Sequence, residues 1–543
     1  MIELTKLQSK LAILMLCLSL FIPVLASAHE VDTNGAAPNL QATLGELLGE
    51  HALLAVIAMQ KGYDGAADFG DAAAALGKNT DDLSAAIASV YGQAAGDAFK
   101  PVWSSHIGYF VDYVKATAAK DEAGRQKAVA ELDEYRMKQA EFFHNANPQY
   151  FQTAAIADGL KMHIGHLLDA FNSYVNKDYA VAYADTRTAY AHMFMTAAAL
   201  SAGIEAQFPA TFPAESVASP GIDLRAGLGQ LLGEHATLAA LAMQKGIDGA
   251  PDFTAAAGAL NSNTEDLSAA IASVYGKAAG DAFKTIWTSH IGYFVDYVKA
   301  AAAGDEAGRQ KAVAELEDYR MKQAAFFHSA NPAYFETTVI AGGLKLHIGH
   351  LLDTFNSYVN KDFASAYTFE RTAYAHMFMT ASGLTGGIVA QFPDKFHGKT
   401  AASAKDMTTI SMMTGSTAVT VNGKTSKMDV TPVMKNDSIF IPLRYLGQAI
   451  GVDVTWDNTK KALWIKDGGN TAVFWAGQSY MELNGQRKNI GAPVFLDKGR
   501  VQVPVRFIAE LLGWDVKWTQ SNGAITLTKV MPAATATSME HSH

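Results

Sequence analysis

The chain has 543 residues, of which 49% are apolar, and its 43 basic and 53 acidic side chains give a formal net charge of −10. This length allows about three or four domains, and the acidic balance argues against a nucleic-acid-binding protein, which would present a basic face. The single cysteine, Cys17, excludes a disulfide framework, a zinc finger and an iron–sulfur protein.

The first 28 residues have the pattern of a secretory signal peptide. Lys6 and Lys10 supply positive charge, residues 11–25 are apolar, and Ala26-Ser27-Ala28 is a small-residue cleavage site. No later run of about 18 apolar residues follows that would span a membrane. The sequence therefore predicts a secreted protein, extracellular or associated with the cell wall, without a transmembrane segment after cleavage.

An internal repeat dominates the chain. Residues 41–208 and 225–392 align without a gap, and 127 of the 168 aligned positions are identical. Such identity indicates duplication of a whole domain, because the period is far longer than the 20–50 residues of a solenoid unit. The predicted boundaries are repeat 1 at 39–208, a linker at 209–222, repeat 2 at 223–392 and a second linker at 393–416.

Each repeat is predicted to be an antiparallel helical bundle. Its sequence is rich in Ala, Leu, Met, Gln and Lys, and its large apolar residues recur three to four positions apart. Amphipathic helices of this length bury their apolar faces against one another. In repeat 1 the expected long helices are at about 41–61, 96–118, 121–144, 149–175 and 179–206, with shorter ones near 66–77 and 81–92.

Histidines are the main chemical signal. Twelve of the sixteen lie in the repeats, six in each. In repeat 1, four of them fall near the midpoints of four different long helices, and such positions share one layer of an antiparallel bundle. Neutral imidazole is a common ligand of zinc and copper, and bundle cores often hold metals. The predicted ligands are His51, His106, His163 and His192 in repeat 1 and His235, His290, His347 and His376 in repeat 2, with His166 and His350 as further candidates.

An all-nitrogen site with methionine nearby favours copper and also suits zinc. Haemerythrin-like four-helix bundles are the nearest architectural analogy, but their His-x-x-x-Glu and His-x-x-x-x-Asp spacings are absent. A di-iron Glu-x-x-His motif at Glu141 and His144 loses its carboxylate at Ala325 in the second repeat. Haem between two histidines stays open, whereas a c-type site is excluded because Cys-x-x-Cys-His is missing.

The contrasting interpretation is structural. The same histidines can lie in the core and bond to tyrosine, aspartate or backbone carbonyl groups, in which case the repeats are spacers of a cell-envelope or matrix protein without metal. Glu50 and Glu234, each adjacent to a candidate ligand, are interpreted either as partners that orient an imidazole or as solvated charges.

The C-terminal region changes to alternating Val, Ile, Thr and Trp with turn signals between, which is typical of strands. Residues 439–446 and 501–508 echo each other, and both contain Pro-x-Arg. Each is predicted to continue through a short helix into a strand that ends in tryptophan, at Trp456 or Trp518. The sequence predicts a small α+β domain at 417–528 built from a duplicated strand–helix–strand unit, followed by a flexible tail at 529–543.

This duplicated unit resembles the copper amine oxidase N-terminal-like domain. The resemblance implies an adaptor of secreted Gram-positive proteins, with cell-wall or envelope components as partners. It does not imply amine oxidase activity, because the catalytic tyrosine of those enzymes lies in an Asn-Tyr-Asp/Glu context and this chain has no Asn-Tyr pair. A Gly-x-Ser-x-Gly elbow and a Walker loop are also absent, so no enzymatic activity is assigned.

Overall fold

The computed structural model describes residues 33–212 and 219–396, together with segments 407–421, 424–435, 438–442, 453–467, 470–483, 485–490, 493–505, 515–519 and 524–530. The predicted signal peptide and nearly all of the predicted tail lie outside the described residues. The chain divides into two compact units, one of residues 1–83 and 169–398 and the other of residues 84–168 and 399–543.

The described part of residues 36–396 forms thirteen helices in tandem, twelve long ones in the two repeats and a short one in the predicted second linker, which confirms the predicted helical architecture. Six long helices in repeat 1 correspond to six in repeat 2. They are α1 Ala36–Asp64, α2 Phe69–Tyr91, α3 Gln93–Ala118, α4 Glu122–Ala146, α5 Thr153–Val175, α6 Tyr179–Gln207, α7 Pro220–Ile247, α8 Phe253–Tyr275, α9 Lys277–Ala302, α10 Glu306–Ala330, α11 Thr337–Val359, α12 Phe363–Gln391 and the short α13 Pro393–Phe396.

Two boundaries differ from the prediction. The pieces expected at 66–77 and 81–92 form one continuous helix, α2, because two of the polar residues between them are buried and bonded. Asn79 is buried and donates to the Leu47 carbonyl, and the Thr80 hydroxyl donates to the Leu76 carbonyl of its own helix. Helix α7 begins inside the predicted linker at Pro220, where the Ser219 hydroxyl caps it by accepting from the Ile222 amide at 3.2 Å.

The first helix of each repeat is its core helix. Helix α7 packs against α8, α9, α11 and α12, so most of its circumference is covered. This explains why its sequence is apolar on nearly every face. The equivalent α1 is the helix among the described residues that is long and apolar enough to cross a membrane, with a mean hydropathy of 1.4, but its apolar window is mostly buried, as expected for a core helix.

The unit of residues 1–83 and 169–398 contains an interface between the repeats that is formed largely by equivalent residues of both. The Tyr190 and Tyr374 hydroxyls lie 3.2 Å apart, and the Phe194 and Phe378 rings stack with centroids 6.3 Å apart. These residue pairs occupy equivalent positions of the two repeats. The arrangement is that of a twofold dimer contained in one chain.

Two arginine clusters reinforce this interface. Arg187 forms a bidentate pair with Glu234 at 3.0 and 2.9 Å and reaches Asp266 at 2.7 Å. The equivalent Arg371 holds Glu50 in the same way. Both glutamates are buried and are therefore partners of arginine across the interface, not solvated charges.

A buried polar cluster contains a carboxyl group with a raised pKa. Lys61 pairs with Asp68 at 2.7 Å, and the Tyr367 hydroxyl donates to Asp68 at 3.0 Å. Nearby Glu370 is buried, and this burial raises its pKa to about 8. Lys61 opposes the rise, whereas the charges of Glu50 and Asp68 add to it. The equivalent residue of repeat 1 is Thr186, so only repeat 2 carries this acid.

Glu370→Gln should remove a pH-dependent loss of stability. Between pH of about 4.5 and 8 the folded protein keeps a proton on Glu370 that the unfolded chain releases, so the free energy of unfolding falls as pH rises. We expect the variant to match the parent near pH 4.5 and to become progressively more stable than the parent as the pH rises to 8.5. Urea unfolding at both pH values measures this difference, and an equal difference at the two pH values would contradict it.

The C-terminal domain is strand-rich. Its described strands are β1 Met407–Met413, β2 Ala418–Val421, β3 Lys424–Lys427, β4 Val433–Lys435, β5 Ser438–Pro442, β6 Asp453–Asp457, β7 Ala462–Asp467, β8 Asn470–Trp475, β9 Tyr480–Leu483, β10 Gln486–Asn489, β11 Phe495–Asp497, β12 Arg500–Pro504, β13 Asp515–Thr519 and β14 Ala524–Val530. Among the described residues they form three antiparallel sheets with the orders β13-β14-β1-β2-β3, β10-β9-β8-β7-β6 and β11-β12-β5-β4. Strand β1 begins inside the predicted second linker.

The internal duplication of this domain is visible in its strand pairing. The two echoing segments form β5 and β12, which pair antiparallel about Ile441 and Val503, the equivalent residues of the two halves. Both side chains are fully buried, in one core with Phe474 and Met481. The short helices predicted after β5 and β12 lie outside the described residues.

Candidate metal centre

Repeat 2 brings three of its predicted ligands together. His235 on α7, His290 on α9 and His347 on α11 each offer a ring nitrogen within 4.8 Å of the other two. All three side chains are at most 1% exposed. Because α7 is the core helix and α9 and α11 pack against it, three separate helices converge on one point in the interior.

A hydrogen bond orients one of these rings. His290 Nδ1 donates to the carbonyl of Trp287, one turn earlier on α9, and its Nε2 then carries the lone pair. That Nε2 lies 3.2 Å from Nε2 of His235. A backbone carbonyl that fixes the tautomer of a ligating histidine is a recurrent feature of metal sites.

The third ring, that of His347, is not oriented by a hydrogen bond to any described residue. Both nitrogens of His347 are buried and have no hydrogen-bond partner among the residues that the structure describes, and the same holds for Nδ1 of His235. Buried polar atoms are nearly always bonded. A metal ion coordinated by the three rings would bond one of the two His347 nitrogens, so the residues fit such an ion.

The electrostatics favour neutral rings. Burial lowers the pKa of His290 to about 3, and burial together with the neighbouring imidazoles lowers the pKa of His235 and His347 well below the usual value. Neutral imidazole is the form that ligates metals. The triad is therefore in its ligating form throughout the physiological pH range.

The fourth predicted ligand does not join this group. Nε2 of His376 lies 3.0 Å from the Gly343 carbonyl oxygen, and its ring lies 5.7 Å from that of His350. The expected layer of four imidazoles is thus a triad beside a separate His350–His376 pair. His328 ends α10 and binds the Phe335 carbonyl through Nδ1 at 2.8 Å, which agrees with a structural role.

Repeat 1 has the corresponding residues. His106 on α3 and His163 on α5 lie with ring centroids 6.2 Å apart, close to the 6.1 Å between His290 and His347. His106 also contacts the Trp103 carbonyl through Nδ1, and burial lowers its pKa to about 4. His51 is fully buried on α1, at the position equivalent to His235. His166 and His192 correspond to the pair that lies apart in repeat 2.

Sequence reasoning missed the aromatic shell of the triad. The Tyr319 ring stacks on His290 at 4.6 Å and 18°, and the Trp287 ring lies 4.6 Å from His290 and 4.7 Å from His235. The sequence pattern that could have revealed this shell lies on α10, where Leu316, Tyr319 and Gln323 recur at helical spacing. All three are buried.

The comparisons with known proteins identify only the C-terminal domain. Residues 396–465 and 420–527 match the model of the copper amine oxidase N-terminal domain family, which confirms the predicted resemblance for this segment. A search of the curated proteins and a search of the solved structures gave no match.

Proposed function

We propose that this is an exported metal-binding protein in which each repeat coordinates one ion through three buried histidines: His235, His290 and His347 in repeat 2, and His51, His106 and His163 in repeat 1. The observation that carries the proposal is the pair of unbonded buried nitrogens of His347 beside two further imidazoles. In repeat 1 the proposal also depends on the identity of 127 of 168 aligned positions.

The geometry supports a bare ion in preference to haem. Neighbouring nitrogens of a tetrahedral site with metal–nitrogen bonds of ~2.05 Å lie ~3.3 Å apart, and the two Nε2 atoms of His235 and His290 are 3.2 Å apart. Haem between two histidines needs room for a porphyrin plane between their nitrogens. Trp287 and Tyr319 pack directly on His290 and leave no such space on that side.

Copper is the proposed metal, with zinc as its competitor. Three imidazole nitrogens suit both ions, and a site of nitrogen donors binds Cu²⁺ more tightly than the other divalent first-row metals. The C-terminal domain acts in this proposal as an adaptor toward cell-wall or envelope components. Export is supported by the charged and apolar pattern of residues 1–28.

Metal analysis of the protein purified without a histidine tag tests the proposal. We expect about two ions per chain in the parent, about one in His290→Ala and none in His106→Ala/His290→Ala, because each site has only three imidazoles. Competition between copper and zinc identifies the preferred metal.

The matched control is His144→Asn/His328→Asn. These histidines end their helices and bind the backbone carbonyls of Phe151 and Phe335, so the metal content should not change. If the parent protein retains neither copper nor zinc after incubation with these metals, the proposal is wrong. The remaining interpretation is then a structural envelope protein.

A further inference from the structure

We infer that the ion keeps one open coordination position, and that a water molecule, hydroxide or other small anion bound there is hydrogen-bonded by Tyr319 and Gln323. This inference rests on the proposed metal site. In the described part of the chain, no additional His, Cys, Asp or Glu atom joins the triad. Three protein ligands with a fourth position for water or substrate are typical of sites where a ligand exchanges, whereas structural sites are closed by four.

Tyr319 is the first unbonded polar group beside the triad. Its ring lies against His290, and its hydroxyl is buried without a hydrogen-bond partner among the described residues. A buried hydroxyl without a partner costs free energy. The cost is removed if the hydroxyl donates to a molecule that the metal holds.

Gln323 lies one helical turn beyond Tyr319 on the same buried face of α10. Contacts of His290 with Tyr319 and of Phe283 with Phe327 show that α9 and α10 run antiparallel, which places Gln323 at the level of Trp287. Both amide atoms of Gln323 and Nε1 of Trp287 are buried and lack a partner in the described chain. Donors and an acceptor without partners therefore accumulate on one side of the triad.

The same pattern occurs in repeat 1. Tyr135 stacks on His106 at 4.6 Å and 20°, and its hydroxyl is buried without a partner within the described residues. Gln139 is fully buried, and both of its amide atoms are also unbonded there. A polar molecule beside each ion accounts for both sets.

Azide binding to the copper(II) form of the full chain tests this inference. Azide is a small anion whose coordination gives a charge-transfer absorption, and we expect the parent to bind it. The variants Tyr135→Phe/Tyr319→Phe and Gln139→Leu/Gln323→Leu should retain the parent's copper content but bind azide about tenfold more weakly, because each loses a hydrogen bond to a charged ligand.

Two controls separate this role from a structural one. Tyr297→Phe removes a hydroxyl that donates to Asn356 at 3.0 Å and should leave azide affinity unchanged. The metal-free Tyr135→Phe/Tyr319→Phe protein should melt at or above the parent temperature, because the lost hydroxyls had no partner. If the parent binds copper but not azide, or if the variants bind azide as tightly as the parent, this inference is wrong and the proposed metal site still stands. A protein that binds no copper would overturn the metal site as well.

Discussion

Replacing His347 with leucine should abolish the metal-dependent stabilisation of repeat 2 and leave the metal-free protein at least as stable as the parent. Leucine fills a similar volume, and it removes two buried nitrogens that have no partner in the described chain. An ion that binds only the folded state stabilises it by about 2.7 kcal/mol at a free concentration 100 times its dissociation constant. The variant should lose this gain in repeat 2.

Calorimetric melting with and without copper measures both effects. The matched variant is His376→Leu, which removes an imidazole that contacts the Gly343 carbonyl. It should destabilise the metal-free protein while keeping the response to copper. If His347→Leu instead lowered the melting temperature of the metal-free protein by several degrees, the imidazole would have a structural partner and the triad would not be a metal site.

The sequence predicted the helical repeats and which helices carry the triad. Residues such as His290 lie on an unbroken apolar stripe with Phe283, Trp287 and Phe294, so their inward direction follows from helical periodicity. The middle of each long helix also lies in the same layer of an antiparallel bundle. These two local properties were sufficient to select His235, His290 and His347.

The position of His376 could not be predicted in the same way. A mid-helix position fixes the height of a side chain but not the rotation of its helix, and this histidine lies at the edge of the apolar face of α12. Its nitrogen is 3.0 Å from the carbonyl oxygen of Gly343 on a neighbouring helix. Such a contact depends on packing between helices, about which the periodicity of one helix carries no information.

The interface between the repeats was missed for a related reason. Arg187 and Glu234 are 47 positions apart, and Arg371 and Glu50 are 321 apart. No local pattern links such residues. Each glutamate adjoins a histidine in the chain, which suggested a role at the metal, whereas its side chain extends away to the partner repeat.

Breaking one of these arginine clusters should have the largest effect on stability. Arg187→Ala leaves Glu234, whose side chain is 4% exposed, without its bidentate partner. The Asn263 amide still donates to this carboxylate at 2.7 Å, but one neutral donor does not replace a guanidinium. Removing one member of a buried ion pair typically costs about 3–5 kcal/mol, and we expect a loss near 3 kcal/mol because Arg187 is 23% exposed.

Urea unfolding of Arg187→Ala and of Lys277→Ala provides the comparison. Lys277 pairs with Asp281 on the surface of α9, where the two side chains are 86% and 62% exposed, so its loss should cost less than about 0.5 kcal/mol. Arg371→Ala should resemble Arg187→Ala because it breaks the equivalent pair with Glu50. Equal small losses for all three variants would mean that water screens the arginine clusters. The interface would then depend on its other contacts, such as those of Tyr190, Phe194, Tyr374 and Phe378.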